Sequence, residues 1–212
     1  MIIAIDGPAG VGKSTLAKAL AEKLGLLYLN SGLFYRGVTY MALKNGVNLE
    51  SPPAIIRLAE TLEFSLSREG LLVSGRLLSS KELQNDEVEQ WVSPISSLVP
   101  IRHIVNKNLT KIGRNTDLVA EGRDITTVVF PQAEVKIYLD ASLDARAARR
   151  FHQGTSQKTL AELKKTLAER DEMDKNKAEG RLQIAPEALY FDTSDLTIDE
   201  VCEKVMSVIE KK

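Results

Sequence analysis

A single cysteine, Cys202, excludes an internal disulfide. It falls among Ile198, Val201, Val205, Val208 and Ile209, the apolar face of a C-terminal helix, where a buried thiol is expected rather than a nucleophile. The two histidines, His103 and His152, stand far apart, and with one cysteine they make no zinc-ligand pattern. No apolar run reaches the ~18 residues of a membrane span. Neither sign of charge prevails: 28 Lys and Arg face 29 Asp and Glu, a net charge of −1, which argues against nucleic acid as a partner. Internal repeats and low-complexity segments are absent too. A strand begins at Ile2 and leaves no room for a signal peptide, so a cytoplasmic location is expected. Nothing in the chain demands more than a monomer. Its 212 residues suffice for one substantial α/β domain with insertions.

What is present begins at once. Residues 7 to 14 read Gly7-Pro8-Ala9-Gly10-Val11-Gly12-Lys13-Ser14, the phosphate-loop pattern G-x-x-x-x-G-K-S/T, followed by Thr15. Ile2-Ile3-Ala4-Ile5 before it suits a buried parallel strand. Leu16, Ala17, Leu20, Ala21 and Leu24 after it recur at helical spacing. Glycines let backbone N–H groups close on a phosphate, and the helix N-terminus adds free donors and partial positive charge. In this motif Lys13 neutralises the β and γ phosphates of a nucleoside triphosphate, and the Ser14 hydroxyl ligates Mg²⁺.

Further along, strands alternate with helices. Strands are expected at 2–6, 27–29, 118–121, 135–140 and 189–192. Helices are expected at 13–24, 33–44, 143–151, 160 to about 177, and 198–210. This order predicts a parallel sheet flanked by helices, with ligands at the carboxyl ends of its strands. Short apolar segments at 62–66, 71–73 and 76–78, split by Arg68-Glu69-Gly70 and Ser74-Gly75, predict a small antiparallel insert. Helices at 86–98 and 101–112 follow, with a kink or break expected at Pro94. Gln153–Gln157 reads as a second short insertion.

Four places offer cations or carboxylates to a second, acceptor ligand. Arg36 follows the strand end Asn30-Ser31-Gly32 by one helical turn. Arg123 and Asp124 follow the strand ending at Glu121, with Gly122 allowing a sharp turn. Arg170, Asp174 and Lys177, spaced i, i+4, i+7, share one helix face. Arg146, Arg149 and Arg150 form a patch of three cations, which repel unless an anion such as a polyphosphate sits among them. Each place also has a plainer reading, as a solvated or ion-paired surface.

Together the strings GPAGVGKST, LNSGLFYRGVTYMAL, VSPISSLVPIR, EGRDITTVVFPQAEVKIYLDAS and ERDEMDKNKA resemble bacterial cytidylate kinases, in order and essentially end to end. The EGRD-x-x-TVVFP string is the most specific to that family. The resemblance implies an α/β, P-loop NTPase-type parallel sheet in a single kinase domain, 1–212. The core would span about 1–60, 115–148 and 160–212. A small antiparallel NMP-binding insert would span about 61–114, and a lid about 149–159. Carried over by resemblance, Arg36 and Arg123 grip the acceptor phosphate. Ser31, Ser93, Arg102 and Asp124 read cytosine. Arg170 and Asp174 lie at the ribose and phosphate, beside Lys177, and Arg149 and Arg150 meet ATP. The chain departs from the family pattern at Asn30 (usually Asp), Thr126 (usually Gly), Lys177 (usually Arg) and Ala178-Glu179-Gly180-Arg181 (usually Ala-Val-Ala-Pro).

The expected reaction is transfer of the γ-phosphate of ATP to CMP or dCMP, with Lys13, Arg123, Arg170 and Asp174 in catalytic positions. Its phosphate acceptor is already a nucleophile near neutral pH, so catalysis is positioning and charge stabilisation. The rivals are a UMP/CMP-type or other nucleoside monophosphate kinase, and a P-loop switch that hydrolyses triphosphate slowly. The switch leaves Arg36, Arg123, Arg170 and Asp174 without a task.

Overall fold

The structure, a computed structural model, describes residues 1–154 and 158–209. In chain order its elements are β1 (Ile2–Asp6), α1 (Lys13–Leu24), β2 (Leu27–Asn30), α2 (Ser31–Lys44), α3 (Pro52–Thr61), β3 (Phe64–Ser67), β4 (Gly70–Val73), β5 (Arg76–Leu77), α4 (Ser80–Leu83), α5 (Asp86–Ser97), α6 (Val99–Gly113), β6 (Leu118–Gly122), a π-helical turn (Ile125–Val129), β7 (Val135–Asp140), α7 (Leu143–His152), α8 (Leu160–Asn176), β8 (Leu189–Asp192) and α9 (Ile198–Ile209). The chain divides into two compact units, Met1–Tyr28 with Asp117–Lys212, and Leu29–Thr116. The second unit takes in α2 and α3 together with the segment 61–114 expected to be inserted.

The first unit is built on a parallel sheet of order β2-β6-β1-β7-β8. Residues 3–6 of β1 and every residue of β6 are buried, as strands covered on both faces must be. α1 packs beside α9, and their apolar stripes meet Ile3, Ile5, Val119, Ile137 and Leu139 in one core. Cys202 lies in that core at 2% exposure, as its spacing predicts. α1 ends at Gly25, whose left-handed φ of 68° lets its N–H reach back to Ala21 and Glu22. α8 starts on a capping box between Thr159 and Glu162. From β1 the chain turns first toward β2 and β6 and later returns to β7 on the other side. A phosphate loop leaving β1 therefore stands at the switch point of the sheet.

The second unit holds the antiparallel meander β3-β4-β5. α2 lies against it at Gly37, where an added Cβ would stand 3.3 Å from the Leu71 and Val73 side chains. Phe34 packs on Phe64 with ring centroids 5.4 Å apart. α5 runs through Pro94 to Ser97, where a kink or break was expected. The proline forgoes one hydrogen bond in the last turn, and the remaining bonds and the buried Val88 and Ile95 hold the helix. α3, α4 and the π turn are not among the elements that the periodicity predicts. Of the expected lid, 149–154 and 158–159 are described, and 155–157 lie outside the described residues, as does the expected end of the last helix at Glu210. No helix among the described residues is long and apolar enough to cross a membrane.

Candidate active site

The phosphate loop of the first unit is shaped by glycines that nothing else could replace. At Gly7 a Cβ would fall 2.1 Å from the carbonyl oxygen of Leu139, on β7. Gly12, at φ 97°, turns the chain into α1 in a conformation that L side chains rarely adopt. Pro8, Ala9, Gly10 and Val11 make up the rest of the loop, and Ser14 and Thr15 open the first turn of α1. Lys13 is 6% exposed and donates to the Pro8 carbonyl at 2.7 Å, so it folds back over its own loop. Burial pushes its ammonium well below the ordinary lysine range, and the nearby charges of Arg123 and Arg170 push the same way against Glu121 and Asp6. A cation held in that state gains from an anion, and a polyphosphate supplies one.

Ser14 donates to Glu121 Oε1 at 2.5 Å, and the Tyr28 hydroxyl donates to the same oxygen at 2.8 Å. Glu121 is 4% exposed, next to last in β6, one strand over from β1. A hydroxyl and a carboxylate side by side are hard oxygen donors, which suits Mg²⁺. Among the described residues no group of three or more His, Cys, Asp or Glu could cage a metal alone. Mg²⁺ at nucleotide sites takes few protein ligands, with phosphates and water completing the set, so the residues fit it.

Beyond Glu121, the turn at Gly122 presents Arg123 and the buried Asp124. Arg123 Nε donates to Asp174 Oδ2 at 2.7 Å, and Lys177 Nζ donates to Asp174 Oδ1 at 2.8 Å. Burial raises the Asp174 carboxyl, but the charges and bonds of Arg123 and Lys177 outweigh it and hold it at about 2. Asp174 thus joins β6 to α8 and fixes the Arg123 guanidinium. Arg170 lies one turn earlier on α8, half-buried, with its charge acting on Lys13. So the first unit gathers Lys13, Ser14, Arg123, Asp124, Arg170, Asp174 and Lys177 at the carboxyl end of its sheet.

The arginines of α7 do not form one patch. Arg146 is 6% exposed; it donates to the carbonyls of Ala141 and Ala9 and pairs with Asp171 at 2.7 Å. It props the phosphate loop from behind, which is why this cation needs no anion of a ligand. Arg149 donates to both the hydroxyl and the carbonyl of Thr193, and the Thr193 hydroxyl lies 3.2 Å from the carbonyl of Val11. Arg150 is half-buried on the same helix.

The second unit carries the remaining candidates. Asn30 Oδ1 caps α2 by accepting from the Gly32 N–H at 2.9 Å, a task the amide performs as a carboxylate would. Ser31 is buried at the start of α2. Arg36 donates to the carbonyl of Leu83 at 3.2 Å and pairs with Glu89 at 2.7 Å. Arg102 is 4% exposed on α6, 5.6 Å above the Tyr35 ring, and donates to the Ser96 carbonyl. Ser93 is exposed on α5.

Four residues that sequence reasoning did not assign prove to matter. Glu121 was visible as a carboxylate at a strand end, but only the strand order shows that it neighbours β1. Glu89 partners Arg36 from another helix, and Thr193 partners Arg149 from across the chain; no spacing rule foretells either. Asp6 is fully buried at the end of β1. It accepts from the N–H of Ile125 at 2.9 Å and from the N–H and hydroxyl of Thr126 at 2.7 and 2.6 Å. Burial lifts its carboxyl to about 6 against the pull of those bonds.

The family described as cytidylate kinase matches residues 3–211. A cytidylate kinase of Borrelia hermsii is 44% identical over 100% of this chain and 99% of its own length. Cytidylate kinase 1 of Borreliella afzelii is 41% identical over 100% of this chain and 98% of its own. Among solved structures, a shikimate kinase from Bacteroides thetaiotaomicron superposes with a TM-score of 0.54 at 13% identity, covering 99% of this chain and 98% of that one, a likeness of fold alone. A full-length family match and relatives above 40% identity leave one conclusion: the chain belongs to the cytidylate kinase family.

Proposed function

We propose that the protein transfers the γ-phosphoryl group of ATP to CMP or dCMP, giving CDP or dCDP, with Mg²⁺ as cofactor. The observation that carries this is the pairing, in one unit, of a phosphate loop with a second set of phosphate-binding groups: Lys13 and Ser14 on one side, Arg123, Arg170 and Asp174 on the other. The loop and Lys13 bind the triphosphate, and Arg149 and Arg150 bind it from α7. Mg²⁺, held by Ser14 and Glu121, would supply charge neutralisation at the β and γ oxygens when bound. Arg123 and Arg36 hold the acceptor phosphate, whose oxygen is the nucleophile and needs no general base. Asp174 keeps the Arg123 guanidinium aimed, and Lys177 shares that carboxylate. Arg170 offsets the charge that gathers as the two polyanions are brought in line.

Cytosine is read by Asp124, which accepts from its N4 amino group, and by Arg102, which donates to N3 and O2, with Ser31 and Ser93 alongside. Uracil reverses donor and acceptor at positions 3 and 4, so each mismatched contact disfavours it by about 1–3 kcal/mol. On this proposal the enzyme is a cytoplasmic monomer that binds nucleotides, and neither nucleic acid nor membrane. The test is a coupled assay of ADP release from ATP and Mg²⁺, with CMP, dCMP, UMP, AMP and GMP offered separately. Fast turnover with CMP and dCMP alone supports the proposal. Turnover with another monophosphate overturns the roles of Arg102 and Asp124, and acceptor-independent slow hydrolysis overturns the kinase reading.

A further inference from the structure

We propose that Asp6 and Thr126 form a positioning pair for the acceptor side of the site, tying the turn that presents Arg123 and Asp124 to the strand that enters the phosphate loop. Both residues lie in the first unit, and neither belongs to the groups assigned above to nucleotide or metal. Asp6 is the last residue of β1, immediately before Gly7. Thr126 lies in the one-turn π segment that follows Asp124, and it is 1% exposed.

The geometry explains why such a tie is needed. The first N–H groups of any helical turn lack partners within it. Here Asp124 accepts from Val128 and Val129, and Ile125 accepts from Phe130, which leaves the N–H groups of Ile125 and Thr126 to be met elsewhere. Asp6 meets both, one with each carboxylate oxygen, and takes the Thr126 hydroxyl as a third donor. A carboxylate with no exposed surface is stable as an anion only when its oxygens are filled in this way. Asp124 adds a like charge nearby, so each donor matters the more. One-turn π segments recur at functional sites, where they re-aim the residues beside them. This one begins one residue after Arg123-Asp124, so its pinning fixes the angle at which Asp124 is offered to a ligand. The Thr126 hydroxyl thus adds a third donor to the two backbone N–H groups.

The inference rests on the proposed acceptor role of Arg123 and Asp124. The test measures KM for CMP and for ATP, with kcat, in full-length wild type, Thr126→Val and Thr126→Ser. Valine keeps the shape and removes the donor, and serine keeps the donor. A hydrogen bond to a charged group is lost, so Thr126→Val should raise KM for CMP roughly tenfold. KM for ATP should stay within about twofold, and Thr126→Ser should behave as wild type. An unmoved KM for CMP, an equal rise for both nucleotides, or a serine variant as impaired as the valine one overturns the proposal. Should valine fail to fold, Thr126→Ala removes the same hydroxyl without bulk and is read by the same three outcomes. Wild type without CMP-dependent turnover overturns the acceptor role itself, whereas an active wild type with an indifferent Thr126→Val overturns only the positioning role.

Discussion

At the scale of single residues, the Asp174 carboxylate, paired with Arg123 and Lys177, makes stability depend on pH. Its folded carboxyl stands at about 2 against an ordinary 3.8, so the ionised form is favoured by the fold. For a depressed carboxyl the stabilisation is complete above the unfolded value and is lost as pH falls through the folded one. Asp174→Asn should therefore lower stability at neutral pH by about 2 kcal/mol, the worth of a shift of that size. The gap between variant and wild type should close between pH 4 and pH 2. Urea unfolding at a series of pH values checks both statements, and a gap that persists at pH 2 contradicts them. The Lys13 ammonium is lowered as well, chiefly by burial, but for a cation that disfavours the charged form, and a bound polyphosphate would raise it again. ATP binding at alkaline pH should then be accompanied by proton uptake, read by calorimetry in buffers of different ionisation enthalpy.

Between elements, two ion pairs make different predictions because their burial differs. Arg146 on α7 and Asp171 on α8 are nearly sealed from solvent; the pair runs through Asp171 Oδ2, and Oδ1 has no hydrogen-bond partner. Breaking such a pair from one side strands the other charge. Arg146→Met should cost about 3–5 kcal/mol of stability, and a second change, Asp171→Leu, should recover much of it. Thermal unfolding of the single and double variants decides the matter. Arg36 on α2 and Glu89 on α5 pair in a half-open setting, with Glu89 at 48% side-chain exposure. An acceptor phosphate that takes the Arg36 guanidinium must displace that carboxylate. Glu89→Gln should lower KM for CMP about threefold, the worth of an exposed pair, while Arg36→Ala raises it. Trp91, two residues from Ser93 on the same helix, offers a fluorescence signal for the titration.

Taken whole, the molecule follows its sequence where local rules decide and departs where distant residues meet. The phosphate loop, the five core strands and the apolar face holding Cys202 follow from periodicity and from glycines at fixed offsets. α3 was hidden because Pro52-Pro53 reads as a break, although proline suits the first helical turn. The π turn was hidden because the β-branched run Ile125–Val129 carries no helical period. Within the candidate site, the strand ends and helix face that carry Lys13, Arg123 and Asp174 are legible in the sequence, but the contacts of Glu121, Asp6 and Arg146 depend on strand order and helix packing. Nucleotide occupancy should register globally as well. At a hundredfold excess over its Kd, CMP or ATP adds about 2.7 kcal/mol, a rise in Tm of about 5–10 °C for a chain of this size. UMP at the same concentration should do less. The contact of Gly7 with β7 carries this signal to one place. No methyl group fits between that glycine and the carbonyl of Leu139, so loop and strand lie in close contact there. Seating a triphosphate should slow amide hydrogen exchange along Val135–Asp140, making a strand remote from the acceptor groups the reporter of donor loading.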